Sequence, residues 1–329
     1  MVDSKGFWVA KKVLVTGATG FLGHWLVRYL VNEGADVAAL IRDWNPQSEL
    51  IRSGLVDSIS AVSGMLDRYG DVERAINEHE AEIVFHLGAQ AIVQMARRSP
   101  VDTFESNVRG TYHVLEACRA HRELVQCVVV ASSDKAYGAS ASLPYTEDTP
   151  LLGRYPYDVS KSCADLLAQA YWHTYELPVA VARCGNIYGG GDLNWSRIVP
   201  GTIRSLLQNE APVIRSDGKF TRDYLYVADV VEAYALLAEF AATRGLAGQA
   251  FNFGPEKPTP VLEVVNAIRE AMGRSDIEPV VMNRAVGEIR DQYLSSQKAR
   301  RLLGWVPRYT LQRGLEPTIE WYREYFRAG

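Results

Sequence analysis

The stretch Lys12–Gly23, KVLVTGATGFLG, decides the fold. Val13, Leu14 and Val15 are apolar and β-favouring and read as a short buried strand. Gly17, Gly20 and Gly23 follow at three-residue intervals, and an apolar run from Trp25 to Val31 continues at helical spacing. Strand, glycine turn and helix start together make a backbone cradle. The helix N-terminus turns unpaired N–H groups and the positive end of its dipole toward whatever sits there, and glycine lets that group come close. A pyrophosphate is the usual occupant. The spacing is G-x-x-G-x-x-G, not the commoner G-x-G-x-x-G, but it stands where such a motif must stand, between a strand and a helix.

Outward from this stretch, strand and helix patterns alternate. Val37–Ile41 reads as a second strand, Ile59–Val62 as a weak third, Val72–Asn77 as a short helix and Glu82–Leu87 as a fourth strand. Pro100–Ala120 reads as a long helix with Val108, Thr111, Tyr112, Leu115 and Ala117 on its inner side. Cys127–Ala131 (CVVVA) is apolar without alternation, as a strand covered on both faces is. Asp158–Tyr175 is a second long helix and Val179–Ala182 a sixth strand. Repeated β-then-α with such strands predicts an α/β protein with a doubly wound parallel sheet and its site at one edge. After Arg183 the character changes. Helices are expected over Pro200–Gln208, Ala228–Ala242, Val261–Met272, Gln297–Leu303 and Leu315–Phe326, an extended segment over Thr221–Val227, a strand at Phe251–Gly254 and mostly loop over Met282–Ser296. This suits a smaller C-terminal α/β lobe closing over a substrate. The division expected is residues 1–183 and 218–254 for the dinucleotide-binding part, and 184–217 and 255–329 for the lobe.

Composition sets outer bounds. The 329 residues are long enough for a large core, and 47% apolar with 22% charged residues is ordinary globular composition. A net charge of −4 gives no reason to expect nucleic-acid binding. The apolar runs are too short or too interrupted for a membrane span, and MVDSKGFW lacks the apolar core of a signal peptide. Cys118, Cys127, Cys163 and Cys184 form no C-x-x-C pair, which suggests reduced thiols in the cytoplasm and no structural metal. Cys163 and Cys184 have no base partner at readable spacing, so neither is taken as a nucleophile. His86 lies on a buried strand and reads as a packed side chain.

The chemistry-bearing residues converge on the expected sheet edge. Tyr157 and Lys161 are one helical turn apart and share a face. A phenol is a poor base near neutrality, and a cation one turn away favours the phenolate. A serine from the Ser132-Ser133-Asp134-Lys135 strand end can share the proton. Such a trio suits removal of a proton from a sugar hydroxyl while hydride leaves to a nicotinamide.

These residues bear a resemblance. TGATGFLG (Thr16–Gly23), HLGAQ (His86–Gln90), Asn107, SSDKAYG (Ser132–Gly138), YDVSK (Tyr157–Lys161), RCGNIYGGGD (Arg183–Asp192), RDYLYVADV (Arg222–Val230), NFG (Asn252–Gly254) and LGWVP (Leu303–Pro307) resemble the extended short-chain dehydrogenase/reductase family, in its nucleotide-sugar epimerase and dehydratase branch. The likeness covers nearly the whole chain and implies a Rossmann fold and NAD as cofactor, with NADP as the alternative. It implies Tyr157 as the base for the C4 hydroxyl, Lys161 on the nicotinamide ribose and Ser133 on the substrate. It implies cofactor contacts from Gly17, Thr19, Gly20, Phe21, Leu22, Gly23, Arg42, Asp43, Leu66, Leu87, Gly88, Ala89, Gln90 and Asn107. An acid at the end of the second strand holds the ribose hydroxyls of NAD and an arginine accommodates the NADP phosphate; Asp43 and Arg42 offer both. Met65 stands where relatives often carry an adenine-contacting aspartate.

Within that branch the chain is most similar to the CDP-glucose 4,6-dehydratases, through Phe7-Trp8, the Asp134-Lys135 pair and the Gly189–Pro200 loop. The likeness implies a dehydratase in which Asp134 is the acid for the departing C6 hydroxyl and Lys135 is the base at C5, or positions one. The Arg222-Asp223-Tyr224 segment resembles the UDP- and dTDP-sugar enzymes instead. A 4-epimerase with the same tyrosine and lysine is the nearest alternative, and a non-catalytic dinucleotide-binding regulator is an alternative of another class. Arg222, Arg290 and Arg197 are the expected contacts to the substrate pyrophosphate, since guanidinium forks match phosphate oxygens; Asn186 is a further expected substrate contact. Tyr171 and Trp172 make the second long helix aromatic. A buried face explains them by default, and a homodimer contact through the 100–120 and 158–175 helices is what the resemblance implies.

Overall fold

The structure, a computed structural model, describes residues 6–284 and 288–328. The strands are β1 (Lys12–Thr16), β2 (Asp36–Ile41), β3 (Ser60–Ser63), β4 (Ile83–His86), β5 (Cys127–Ala131), β6 (Val179–Cys184), β7 (Asn186–Tyr188), β8 (Val213–Ile214), β9 (Thr221–Arg222), β10 (Tyr224–Tyr226), β11 (Ala250–Phe253), β12 (Thr259–Pro260), β13 (Val280–Val281) and β14 (Asp291–Gln292). Seven of them form one parallel sheet in the order β3-β2-β1-β4-β5-β6-β11. Alternate residues feed two cores. Val13 and Val15 of β1 and Cys127 and Val129 of β5 face one side, with Val230, Val231 and Tyr234. Leu14, Val128 and Val130 face the other, with Val114, Leu115 and Cys118. Covering both faces is why these strands read as unbroken apolar runs.

The strand order reverses between β1 and β4, which pair through Val13↔Ile83 and Thr16↔His86. In open α/β sheets the crevice beyond the strand C-termini at such a reversal is where ligands bind. The loops after β1 and β4 meet there.

The Pro100–Ala120 helix differs from its expected form. It has a wide π turn over Glu105–Arg109 between α-helical Pro100–Phe104 and Gly110–Ala120. The extra residue per turn rotates the following face. Val108 and Tyr112 are therefore only half-buried, and Val114 and Cys118 join Thr111, Leu115 and Ala117 in the interior. On the Pro156–Tyr175 helix, Tyr171 and Trp172 pack against the second core. The Tyr171 hydroxyl donates to Glu116 Oε2 at 3.2 Å.

The C-terminal half holds more strand than expected. The extended Thr221–Val227 segment divides at Asp223. β9 joins β12 and β14, whereas β10 pairs with β7. Buried Asp223 accepts at the break from Lys257 N and Leu294 N, both at 3.0 Å. β14 lies within the expected Met282–Ser296 loop, whose residues 285–287 fall outside the described ones. β8 pairs with β13. The helices Ile198–Leu207, Val261–Ala271 and Leu311–Ala328 enclose a third core around Tyr188, Tyr226 and Tyr322.

Candidate active site

The cradle is built from backbone. Gly17 has φ +74°, and a Cβ there would lie 2.7 Å from Gly88 N. A Cβ on Gly23 would lie 2.1 Å from Gly17 O. The helix Phe21–Asn32 begins without a side-chain cap and has no acidic residue in its first turn. Its positive end is left for an anionic ligand. From this cradle a cleft of about 1290 Å³ runs toward the C-terminal elements. The lining includes Gly17, Thr19–Gly23, Arg42, Asp43, Leu66, Leu87–Gln90, Ser133, Asp134, Lys135, Tyr157, Lys161, Asn186, Arg197 and Arg222. A dinucleotide fits the residues present: a glycine cradle for the pyrophosphate, then Asp43 at the end of the second strand for ribose hydroxyls. Arg42 Nε donates to Asp43 Oδ2 at 2.5 Å, and both side chains are exposed at the rim.

At the end of β5 the chain turns sharply. Ser133 caps a short 3₁₀ turn, Asp134–Tyr137, with Oγ accepting from Lys135 N at 3.2 Å. Ser133 Oγ also donates to Asp134 Oδ1 at 3.0 Å, and the Ser133 side chain is among the groups that draw the Tyr157 phenol downward. Asp134 Oδ2 is buried without a partner. Burial pushes the Asp134 carboxyl above its ordinary range, against the pull of Lys135, Ser133 and Arg222. Burial and the Arg222 guanidinium push Lys135 the other way, below the ordinary ammonium range.

The expected partnership of Tyr157 and Lys161 takes a different form. Burial lifts Tyr157 to about 12, and Arg197 is the cation that draws it back. Lys161 is itself lowered to about 8 by burial, and its Nζ donates to Ala131 O at 2.7 Å. Desolvation outweighs the effect that helical spacing alone suggested.

Three expected ligands stand differently from the sequence reading. Arg290 is 64% exposed beside Asp291 and does not line the cleft. Arg222 lines the cleft, but its guanidinium donates to the Thr221, Ile289 and Arg290 carbonyls, so it serves the site as a pinned charge. Asn107 does not line the cleft either. In the wide turn, its Oδ1 accepts from Gln90 N at 2.6 Å and its Nδ2 donates to Ser160 Oγ at 2.9 Å, tying the β4 loop to the Pro156–Tyr175 helix. The structure adds Arg215 and Arg284, which line the cleft, and Thr202, whose buried hydroxyl lacks a partner.

Behind the crevice, His86 is buried. Nδ1 lies 2.9 Å from Thr16 Oγ1 and Nε2 lies 3.0 Å from Thr111 Oγ1. Thr111 donates to Asn107 O at 2.6 Å, so it accepts from Nε2–H. Thr16 accepts from Gly88 N at 3.1 Å and donates to Nδ1. The imidazole is thus the neutral Nε2–H tautomer, and burial lowers it to about 3.

The fold and this site define a class. Residues 13–254 match the model of the NAD dependent epimerase/dehydratase family, and the chain belongs to that family. Its cofactor is NAD. Among its relatives, the CDP-glucose 4,6-dehydratase of Salmonella typhimurium is 31% identical across 100% of this chain and 94% of its own length. Two solved structures superpose closely. The UDP-glucose 4-epimerase of Thermotoga maritima with UDP-glucose gives a TM-score of 0.87 at 28% identity, covering 95% of this chain and 99% of the other. The dTDP-glucose 4,6-dehydratase of Bacillus anthracis with NAD gives 0.84 at 27% identity, covering 96% and 97%.

Proposed function

We propose that this enzyme is a nucleotide-sugar 4,6-dehydratase acting on a CDP-linked hexose. The observation that carries the reading is the Asp134-Lys135 pair. Its two groups share one turn at the cleft and are both driven toward their neutral forms, so the carboxyl holds a proton passed to it and the amine gives its own up. A carboxyl that holds its proton beside an amine that gives its own up supplies an acid and a base at one pH. The whole-length likeness to a CDP-glucose 4,6-dehydratase supports the nucleotide.

NAD, when bound, would supply the hydride acceptor for C4 and the hydride donor for C6. Tyr157 faces the C4 hydroxyl. It takes that proton while passing its own through Ser133 Oγ to Asp134, so a phenol raised to about 12 is no obstacle. Asp134, now protonated, delivers its proton to the C6 oxygen, which leaves as water. Lys135 takes the C5 proton, acidified by the neighbouring ketone, and gives it back to C5 as hydride arrives at C6. The substrate loses one water and becomes a 4-keto-6-deoxy sugar, and each residue ends as it began. Lys161 and Asp43 hold the cofactor riboses in this reading, and Arg197 and Arg284 the substrate pyrophosphate. The 100–120 and 156–175 helices carry exposed Val101, Phe104 and Leu166, and we assign this face to a homodimer contact.

The test is incubation of the purified protein with NAD and CDP-, UDP-, dTDP- and GDP-glucose, read by mass spectrometry and proton NMR. Loss of one water with a new C6 methyl signal from the CDP sugar is the expected result. An unchanged mass with inverted C4 coupling makes the enzyme an epimerase and overturns the roles given to Asp134 and Lys135.

A further inference from the structure

Lys135 is held from the far end of the chain. Its Nζ donates to Gln292 Oε1 at 2.5 Å. Gln292 is fully buried on β14, in register with Arg222 of β9. Its Nε2 is buried and has no partner. Charged groups reach Lys135 from every side: Arg222 on β9, Asp134 on its own turn, Asp158 on the catalytic helix and Glu288 just before β14. Yet, among the described residues, the side chain in hydrogen-bond contact with Nζ is a neutral amide.

That choice has a chemical consequence. An amide oxygen accepts from an ammonium or from a neutral amine, so it aims Nζ without requiring a charge. A carboxylate in the same place would favour the ammonium. An amine that uses one N–H on Gln292 Oε1 keeps its lone pair for another proton. The register of β14 on β9 fixes the amide, because Gln292 and the pinned Arg222 share one ladder.

We propose that Gln292 is a positioning residue for the elimination, a neutral acceptor that aims Lys135 Nζ at the C5 hydrogen and leaves its lone pair free. The proposal rests on the reading of Lys135 as the base. In the step itself the Nζ lone pair forms an N–H bond with the C5 proton. The C5–H electron pair becomes the C5–C6 double bond, and the C6–O bond breaks with a proton from Asp134 to release water. Gln292 touches neither the substrate nor the proton in flight.

Two measurements on the NAD-loaded enzyme test this. The first is competitive labelling of lysines with acetic anhydride between about pH 6 and about pH 10, read peptide by peptide with Lys161 as internal reference. In Gln292→Glu, labelling of Lys135 at about pH 8 falls about tenfold, the effect of a one-unit rise, while Lys161 is unchanged. The second is wash-in of solvent deuterium at C5 of the sugar. Its pH profile moves upward by about one unit in Gln292→Glu, and in Gln292→Leu it falls at every pH without moving. Unmoved labelling and exchange profiles in Gln292→Glu overturn the proposal. So does an equal loss in both variants that follows a lowered melting temperature, which is what a packing role gives. If the wild-type enzyme exchanges no C5 hydrogen with any sugar, the dehydratase reading fails. The labelling arm then still decides whether Gln292 governs the charge on Lys135.

Discussion

Asp134 and Lys135 are adjacent in sequence, yet the fold gives them opposite tendencies. Burial disfavours a charge of either sign, so it raises one group and lowers the other, and the pinned Arg222 adds to the effect on the lysine. Replacing Asp134 by Asn or Lys135 by Met should lower dehydration by about 10²–10⁴-fold, as general acid–base removal does, with nucleotide-sugar affinity in calorimetry little changed. Tyr157→Phe should abolish C4 oxidation as well, leaving the cofactor oxidised when substrate is added. Retained turnover in Tyr157→Phe would overturn the role given to that phenol. Gly23→Ala tests the cradle. A Cβ only 2.1 Å from Gly17 O cannot be accommodated without moving backbone, so NAD affinity by fluorescence titration should fall at least about tenfold.

At the scale of elements, the catalytic turn is braced from behind. Arg183 on β6 donates to Asp165 Oδ2 from Nε at 2.8 Å and to Oδ1 from Nη2 at 2.9 Å, and both side chains are buried. Its Nη1 donates to Tyr137 Oη at 2.8 Å, and Tyr137 closes the turn that holds Asp134 and Lys135. Asp165→Asn leaves a buried guanidinium short of its counter-charge and should cost about 3–5 kcal/mol in denaturant unfolding. The parts of this machinery that the sequence revealed are those whose residues are close along the chain. The Gly17-Gly20-Gly23 spacing lies in one short turn between a readable strand and a readable helix, and the Tyr157–Lys161 turn belongs to one long helix. Gln292, Arg215 and Asp223 come from strands of two or three residues or the breaks between them, too short to show alternation. Their positions are set by pairing with distant segments. Arg290 was misplaced for the same reason, since spacing within EIRDQ does not say which residues turn toward the cleft. The burial that raises Tyr157 is likewise a tertiary effect, which no local spacing records.

Across the whole molecule, acid response is set by groups of opposing sign. His24 and His86 are lowered to about 3 by burial. In the unfolded chain each protonates near about pH 6.5, so the stability they contribute is full above that value and is lost as pH falls toward about 3. Asp223 is raised to about 7, chiefly by burial. Its contribution is full below the ordinary carboxylate value and is lost as pH rises through about 7. Between about pH 7 and about pH 5 the two effects therefore partly cancel. Asp223→Asn should steepen the loss of stability on acidification, and His86→Asn should flatten it, in denaturant midpoints measured at both pH values for each variant. Assembly is the other property of this scale. Leu166 is 53% exposed and Val101 70% exposed on the two helices assigned to the homodimer. Leu166→Glu should halve the mass seen by light scattering if that assignment is right, and an unchanged dimer would move the interface elsewhere.

The wide turn at Glu105–Arg109 is also a fastening. A π turn holds about one residue more than an α-helical turn. Deleting one residue between Glu105 and Arg109 would restore an unbroken helix and swing Asn107 by about 100°, away from Gln90 and Ser160. The edge that carries NAD chemistry would lose its tie to the catalytic helix while every active-site side chain stayed in the gene. The irregular turn works as a fastening between two parts of the site, and removing it should yield a protein that folds and catalyses poorly.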